Sequence, residues 1–154
     1  MMARRLQSMG AAEGINFTGE GKVGNTRDAH RLVQLAKMES PDMENRVISE
    51  LFKSYFEEGG DITSLDMLAT VGEKAGLDAS EARNWLAEGK GGEEVDHEVE
   101  DAYRRGISGV PKFTINDRYE LSGAQEPEIF LAAFMRAKQS VAGVGFNTTD
   151  RLGC

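Results

Sequence analysis

Cysteine is almost missing from this sequence: there is one in 154 residues, and that one, Cys154, is the last. A single thiol closes no intrachain disulfide, so a disulfide-stapled secreted scaffold is excluded and the default compartment is intracellular. Long apolar runs are missing too. No segment approaches the roughly 20 apolar residues that span a bilayer. Arg4 and Arg5 near the start are followed by polar residues and glycine, where a secretory leader needs roughly 7–15 apolar residues. A soluble, cytoplasmic protein with no membrane partner is the expectation. Positive charge is also short, with 18 Lys and Arg against 26 Asp and Glu, a net charge of −8. The basic residues are spread along the chain, so its surface repels a polyanion and nucleic acid is not an expected partner. Internal repeats are absent. The remaining composition, 40% hydrophobic and 29% charged, is that of an ordinary globular chain long enough for one domain.

Helical periodicity fills most of the sequence. A short helix over 3–12 ends at Gly14, and residues 15–24 form a polar, glycine-rich connection with Ile15 and Phe17 as a docking pair. Asn25 or Thr26 caps a helix that runs to about Glu39, with Ala29, Leu32, Val33 and Ala36 on one face. Ser40-Pro41 opens the next, where Val47, Ile48, Leu51, Phe52, Tyr55 and Phe56 give the strongest helical spacing in the chain. Ser64 opens a helix bearing Leu65, Leu68 and Ala69, closed by Gly76. Asp78 opens another with Ala82, Trp85 and Leu86 inward, closed by Gly89. An acidic helix follows, with Val95, Val99, Ala102 and Tyr103 as its apolar residues.

The texture changes at residues 106–111, a loop leading into Lys112-Phe113-Thr114-Ile115, which alternates as a strand does. Asn116-Asp117 supplies a turn and Tyr119-Glu120-Leu121 alternates again, which predicts a hairpin. A last helix over 127–138 should bury Ile129, Phe130, Ala133 and Phe134. Two strands alone are marginal in water, and an uncovered edge invites pairing with another chain. The pattern looks as if it expects strands that it does not contain.

Four motifs in order carry a family resemblance. Asn25-Thr26-Arg27-Asp28-Ala29-His30-Arg31 is similar to the Asn-Thr-x-x-Ala-His-Arg motif of FrnE-type DsbA-like thioredoxin-fold oxidoreductases, which resemble polyketide-biosynthesis dithiol–disulfide isomerases. Leu51-Phe52-Lys53-Ser54-Tyr55-Phe56, with Asp61-Ile62, resembles their Leu-Phe-x-x-Tyr-Phe and Asp-Ile pair. Ser108-Gly109-Val110-Pro111 resembles their cis-proline loop, and Ser122-Gly123-Ala124-Gln125 their Ser-Gly-Ala-Gln signature. Together they span roughly residues 1–138. The resemblance implies a mostly α fold: a helical insertion domain over 1–105, then 106–138 as the closing hairpin and helix of an incomplete thioredoxin-like α/β domain, and an unassigned tail over 139–154. It implies thiol or disulfide substrates, either a protein or glutathione, and no cofactor.

In that family a Cys-x-x-Cys sits at the start of the first thioredoxin helix, where the helix N-terminus lowers a thiol's pKa. This sequence contains none, and exchange needs an attacking and a resolving thiol. The expectation is a family member inactive as this chain, with no catalytic residue present. The most economical account is a truncated product or gene model starting at an internal methionine. By the resemblance, Gly109, Val110 and Pro111 form a backbone clamp for substrate, the alternative being a plain strand-entry turn. Asn25 and His30 are candidate cleft residues, although Asn25 also reads as a cap and His30 as a structural histidine. His97, among Glu94, Asp96, Glu98 and Glu100, reads as solvated rather than as a metal ligand, and no metal is expected. Trp85 reads as packing, and Cys154 as an ordinary free thiol. Two rival readings stand beside this one: a relative of the kappa-class glutathione transferases and isomerases, and a non-catalytic module that self-associates through the hairpin edge.

Overall fold

Three helix starts are set by the same local chemistry. The side chains of Ser40, Ser64 and Asp78 accept hydrogen bonds from the backbone N–H of Met43 (3.1 Å), Met67 (3.3 Å) and Glu81 (2.8 Å), satisfying donors that a first helical turn leaves open. A computed structural model of the chain describes residues 2–142; Cys154 lies outside the described residues. In order it contains α1 (Met2–Ala12), α2 (Arg27–Glu39), α3 (Pro41–Phe56), α4 (Leu65–Ala75), α5 (Ala79–Ala87), α6 (Gly92–Arg104), β1 (Lys112–Ile115), β2 (Tyr119–Ser122) and α7 (Pro127–Ala142). The chain is mostly helical with one small antiparallel sheet, as the sequence reading expects. Two compact units divide it, one ending at Asp101 and the other beginning at Ala102.

In the first unit α2 is the central element. Ala29, Arg31, Leu32, Gln34, Leu35 and Ala36 are all buried, so it is enclosed almost all round rather than along a single stripe. The core is built by Leu32 with Val47, Leu68 and Val71, all essentially inaccessible. Helix α4 ends at Gly76 in the left-handed region (φ 108°), and the N–H of Leu77 bonds back to the Gly72 carbonyl at 2.9 Å. That geometry turns Leu77 into the core and favours glycine at the cap. Residues 15–24 lie along the end of α3: Thr18 N–H donates to the Phe56 carbonyl (3.0 Å) and Lys22 N–H to that of Gly60 (3.1 Å).

The second unit holds the hairpin and α7. The register pairs Lys112 with Ser122, Phe113 with Leu121, Thr114 with Glu120 and Ile115 with Tyr119. Phe113, Ile115, Tyr119 and Leu121 therefore share one face. That face meets α7, where the Phe113 and Phe130 rings stand perpendicular at 4.8 Å, and the Tyr119 hydroxyl donates to the Arg136 carbonyl at 3.3 Å. On the other face Lys112 reaches diagonally to Glu120 at 2.7 Å. Asn116 and Asp117 both take positive φ (50° and 52°), the twist a tight hairpin turn requires.

Three expectations are corrected. The last helix continues past Lys138 to Ala142. Its inward face is Ala133 and Ala137 with Phe130 half-buried, while Ile129 and Phe134 are exposed. On α6 only Gly92 and Val95 are buried; Val99 and Tyr103 stand in solvent. In both helices the period identifies apolar positions correctly, but the phase of contact is set by the neighbouring element, which periodicity does not contain.

Candidate functional site

The Val110–Pro111 loop is built by the hairpin beneath it. The Val110–Pro111 peptide bond is cis, as the motif implies. The Pro111 carbonyl accepts from Gly123 N–H at 2.8 Å, one residue beyond the end of β2. Gly123 takes positive φ (77°), and the Gln125 side-chain amide donates to the Ser122 carbonyl at 2.8 Å. The loop and the Ser-Gly-Ala-Gln segment, distant in sequence, thus form one corner. Gly109 and Pro111 are exposed there, and Val110 is 88% accessible, the highest among the large apolar side chains described. Lys112 holds the Glu120 carboxyl below its usual range through their hydrogen bond.

In the first unit, two adjoining apolar hollows run beside α3. The larger, about 870 Å³, lies between α1, the 15–24 segment and α3. The smaller, about 450 Å³, lies between α2 and α3. Val23, Phe52, Tyr55 and Phe56 line both. Phe56 is at the centre of an aromatic cluster, with ring centroids 5.7 Å from Phe17, 5.9 Å from Phe52 and 4.9 Å from Tyr55. The strongest periodic stretch of the sequence thus splits: Val47 and Leu51 enter the core while Phe52 and Phe56 remain exposed in the groove.

His30 lies exposed on the wall of the smaller hollow beside Thr26, and no other lining residue carries an imidazole or a formal charge. Asn25 turns out to be local. Its side-chain oxygen accepts from Arg27 N–H at 2.9 Å, while the N-cap position proper, Thr26, makes no side-chain cap bond. At the rim of the segment, Lys22 and Thr63 bond the Asp61 carboxylate at 2.7 and 2.6 Å and hold its pKa down at about 2, with Lys22 the larger cause. His97 is exposed on α6, and among the described residues no cluster of three or more His, Cys, Asp or Glu is arranged to hold a metal ion.

The residue that sequence reasoning passes over is Arg31. It is buried to 4% exposure. Its Nη2 donates to the carbonyls of Trp85 and Leu86 (both 2.9 Å), its Nε to that of Lys90 (2.7 Å) and its Nη1 to Asp28 (2.7 Å). The guanidinium thereby adds a second donor to the carbonyls of Trp85 and Leu86, which also accept from the N–H groups of Lys90 (3.1 Å) and Gly89 (3.3 Å), and supplies one to that of Lys90 beyond α5; the Trp85 indole returns a bond to the Arg31 carbonyl at 2.8 Å. The one available signal is its place in the Asn25–Arg31 motif beside Ala29 and Leu32. Two exposed ion pairs join α2 to α6: Arg27 with Asp96 (2.7 Å) and Lys37 with Glu98 (2.6 Å). Each pair's hydrogen bond raises the base and lowers the acid.

Known proteins bear on these features. Residues 1–135 match the family described as DSBA-like thioredoxin domain. The fold is similar to the crystal structure of a probable DsbA oxidoreductase from Streptomyces coelicolor, with a TM-score of 0.74 and 30% sequence identity. That similarity covers 88% of this chain and 58% of the other, so the chain spans less than two thirds of that protein's length. No curated protein sequence matches it.

Proposed function

The chain belongs to the DsbA-like thioredoxin domain family, and from that premise we propose that it is the substrate-holding portion of a FrnE-type thiol–disulfide oxidoreductase. In this reading residues 1–105 are the helical insertion and 106–138 the closing part of the thioredoxin-like domain. Exchange proceeds when a thiolate attacks one sulfur of a disulfide, forms a mixed disulfide and expels the other sulfur as a thiolate. The 154 residues hold no pair of cysteines for this, so the chain alone does not catalyse it. Its contribution is to position the substrate. An extended peptide runs past Gly109, Val110 and Pro111 in the second unit, and Asn25 and His30 are proposed separately as substrate-facing residues of the helical unit.

The observation that supports this most directly is the corner in the second unit. Gly123 N–H and the Pro111 carbonyl tie the two motif segments together at 2.8 Å and leave Val110 outward. An isolated turn of the same composition needs no such partner.

The test is an insulin-reduction assay with dithiothreitol. The isolated chain should precipitate insulin no faster than buffer; turnover by it sinks the inactivity. A chimera in which this chain replaces the matched portion of the Streptomyces coelicolor protein should show whatever turnover that parent shows. Within the chimera, Val110→Trp should raise KM by about tenfold (~1.4 kcal/mol) with kcat little changed, because bulk at the clamp weakens substrate binding equally in ground and transition states. A folded chimera without its parent's activity, or indifferent to Val110→Trp, refutes the assignment.

A further inference from the structure

The loop that carries Gly109, Val110 and Pro111 is closed by backbone at each end. Before it, Gly106 N–H donates to the Tyr103 carbonyl and Ile107 N–H to that of Ala102, both at 3.0 Å, with Gly106 at φ 68°. That is the left-handed turn with which a helix commonly ends. After it, Gly123 N–H holds the Pro111 carbonyl at 2.8 Å. Between these closures Ser108, Gly109 and Val110 make no hydrogen bond to any described residue. Their backbone groups are left open to a peptide, but nothing in the backbone pattern sets the path of the loop's middle. Side chains add a further tie. A cation stands at each end, Arg105 before the loop and Lys112 after it, and both act on one carboxylate, that of Glu120 on β2. Lys112, whose side chain is only 15% exposed, donates to it at 2.7 Å across the face of the hairpin opposite Phe113. Arg105 adds a weaker electrostatic attraction.

We propose that Glu120 is a positioning residue of the clamp: by holding Lys112 and attracting Arg105 it fixes the span of residues 106–111, and so the direction in which the Val110 backbone meets a substrate. The inference rests on the clamp reading given above, and Glu120 acts in it only through the two ends of the loop. An exposed ion pair adds little to the stability of a fold, so losing this one should be felt in the order of the loop and not in the hairpin. The tie also has a pH range. Lys112 holds the Glu120 carboxyl below its ordinary value of 4.5. The tie is therefore complete above that value and is lost as pH falls through the lower, folded one.

The experiment is NMR relaxation on the full chain, comparing amide order parameters at Ser108, Gly109 and Val110 with those at Thr114 and Tyr119 inside the hairpin. In Glu120→Gln the three loop amides should fall from a rigid value of about 0.85 towards about 0.6, while Thr114 and Tyr119 hold theirs. Glu120→Asp keeps the charge and should recover part of the loss. Acidification below about pH 4.5 should loosen the same three amides in the parent and leave Glu120→Gln unchanged. In the chimera with the Streptomyces coelicolor protein, Glu120→Gln should raise KM by about two- to fivefold with kcat little changed. Loop amides that ignore Glu120→Gln overturn the proposal, and so does an equal loss at Thr114 and Tyr119, which would make Glu120 a stabiliser of the hairpin only. A chimera whose KM responds to Val110→Trp but not to Glu120→Gln overturns it as well. A chimera indifferent to Val110→Trp refutes the clamp reading, and the role of Glu120 with it, whatever order the loop shows in the isolated chain.

Discussion

Replacing Arg31 by methionine keeps the apolar stem and removes the guanidinium. The Lys90 carbonyl, past the end of α5, loses its side-chain donor, and those of Trp85 and Leu86 keep only the backbone N–H groups of Lys90 and Gly89. That of Leu86 is in buried surroundings and those of Trp85 and Lys90 are partly so. A buried acceptor left open costs about 1–3 kcal/mol, so ~2 kcal/mol falls on Lys90; a hydrogen bond lost from a carbonyl that keeps another donor costs about 0.5–1.5 kcal/mol, so ~1 falls on each of Trp85 and Leu86. Water that reaches the outer pair, and the removal of a desolvated charge, return part of this. The net loss is about 3 kcal/mol, at the lower end of the ~3–5 expected when one partner of a buried charged network is deleted. Arg31→Lys retains a charge but not the fork that spans separate acceptors, and should lose about half as much. Urea unfolding of the full chain, followed by Trp85 fluorescence and by far-UV circular dichroism, measures it. For a slope of ~1.5 kcal/mol/M, Arg31→Met lowers the midpoint by about 2 M with the slope unchanged. Arg27→Ala, which removes an exposed pair, should move it far less. A loss below about 1 kcal/mol for Arg31→Met would show that α5 is held by apolar packing alone and would refute the reasoning.

Two further outcomes follow from the same unit. The folded-state pKa of Asp61, about 2, lies below the ordinary carboxylate value of 3.8, so its contribution to stability is complete above the unfolded value and is lost as pH falls through the folded one. The gap in stability between the parent and Asp61→Asn should therefore close between about pH 4 and pH 2 in acid-unfolding curves; a constant gap contradicts the Lys22 and Thr63 bonds. Gly91 and Gly89 share left-handed φ (76° and 74°), but a Cβ on Gly91 meets Trp85 at 2.9 Å while one on Gly89 meets nothing. Each alanine variant should lose ~1–2 kcal/mol from backbone strain, and Gly91→Ala should lose ~1–3 kcal/mol more from overpacking. Equal losses in thermal melts would mean that Trp85 moves aside freely.

What could be read from the residues alone depended on where the governing interaction lay. Ser40, Ser64 and Asp78 announce helix starts because a cap acts within three residues. The Asn116-Asp117 turn is legible for the same reason. The cis bond before Pro111 was expected through the family motif, not through propensity, whereas the hydrogen bond that joins Gly123 to Pro111 was not legible in either. Arg31 was not legible, since a charged residue in a helix ordinarily faces water and, Asp28 apart, its partners lie 54 to 59 positions away. Phe52, Phe56, Phe134 and Tyr103 share the period of buried neighbours yet stand exposed, because the phase of contact is set by neighbouring elements that periodicity does not contain. His30 carries its motif but no feature that distinguishes a cleft wall from a core edge, and only the fold places it on a hollow.

Helix α6 has a consequence of a different kind. Only two of its thirteen residues are buried, and its ties to α2 are the exposed pairs at Arg27–Asp96 and Lys37–Glu98. Apolar contact barely weakens with added salt, whereas exposed ion pairs are screened over a Debye length of about 8 Å at physiological ionic strength. The core around Leu32 and the attachment of α6 therefore answer to different properties of the solution. Added salt should weaken these two pairs together with the other exposed pairs of the unit, Lys22–Asp61, Lys74–Glu58 and Arg83–Asp66, and leave the apolar core at its full strength. Two of these salt-sensitive pairs lie on α6, the segment in which the first unit gives way to the second.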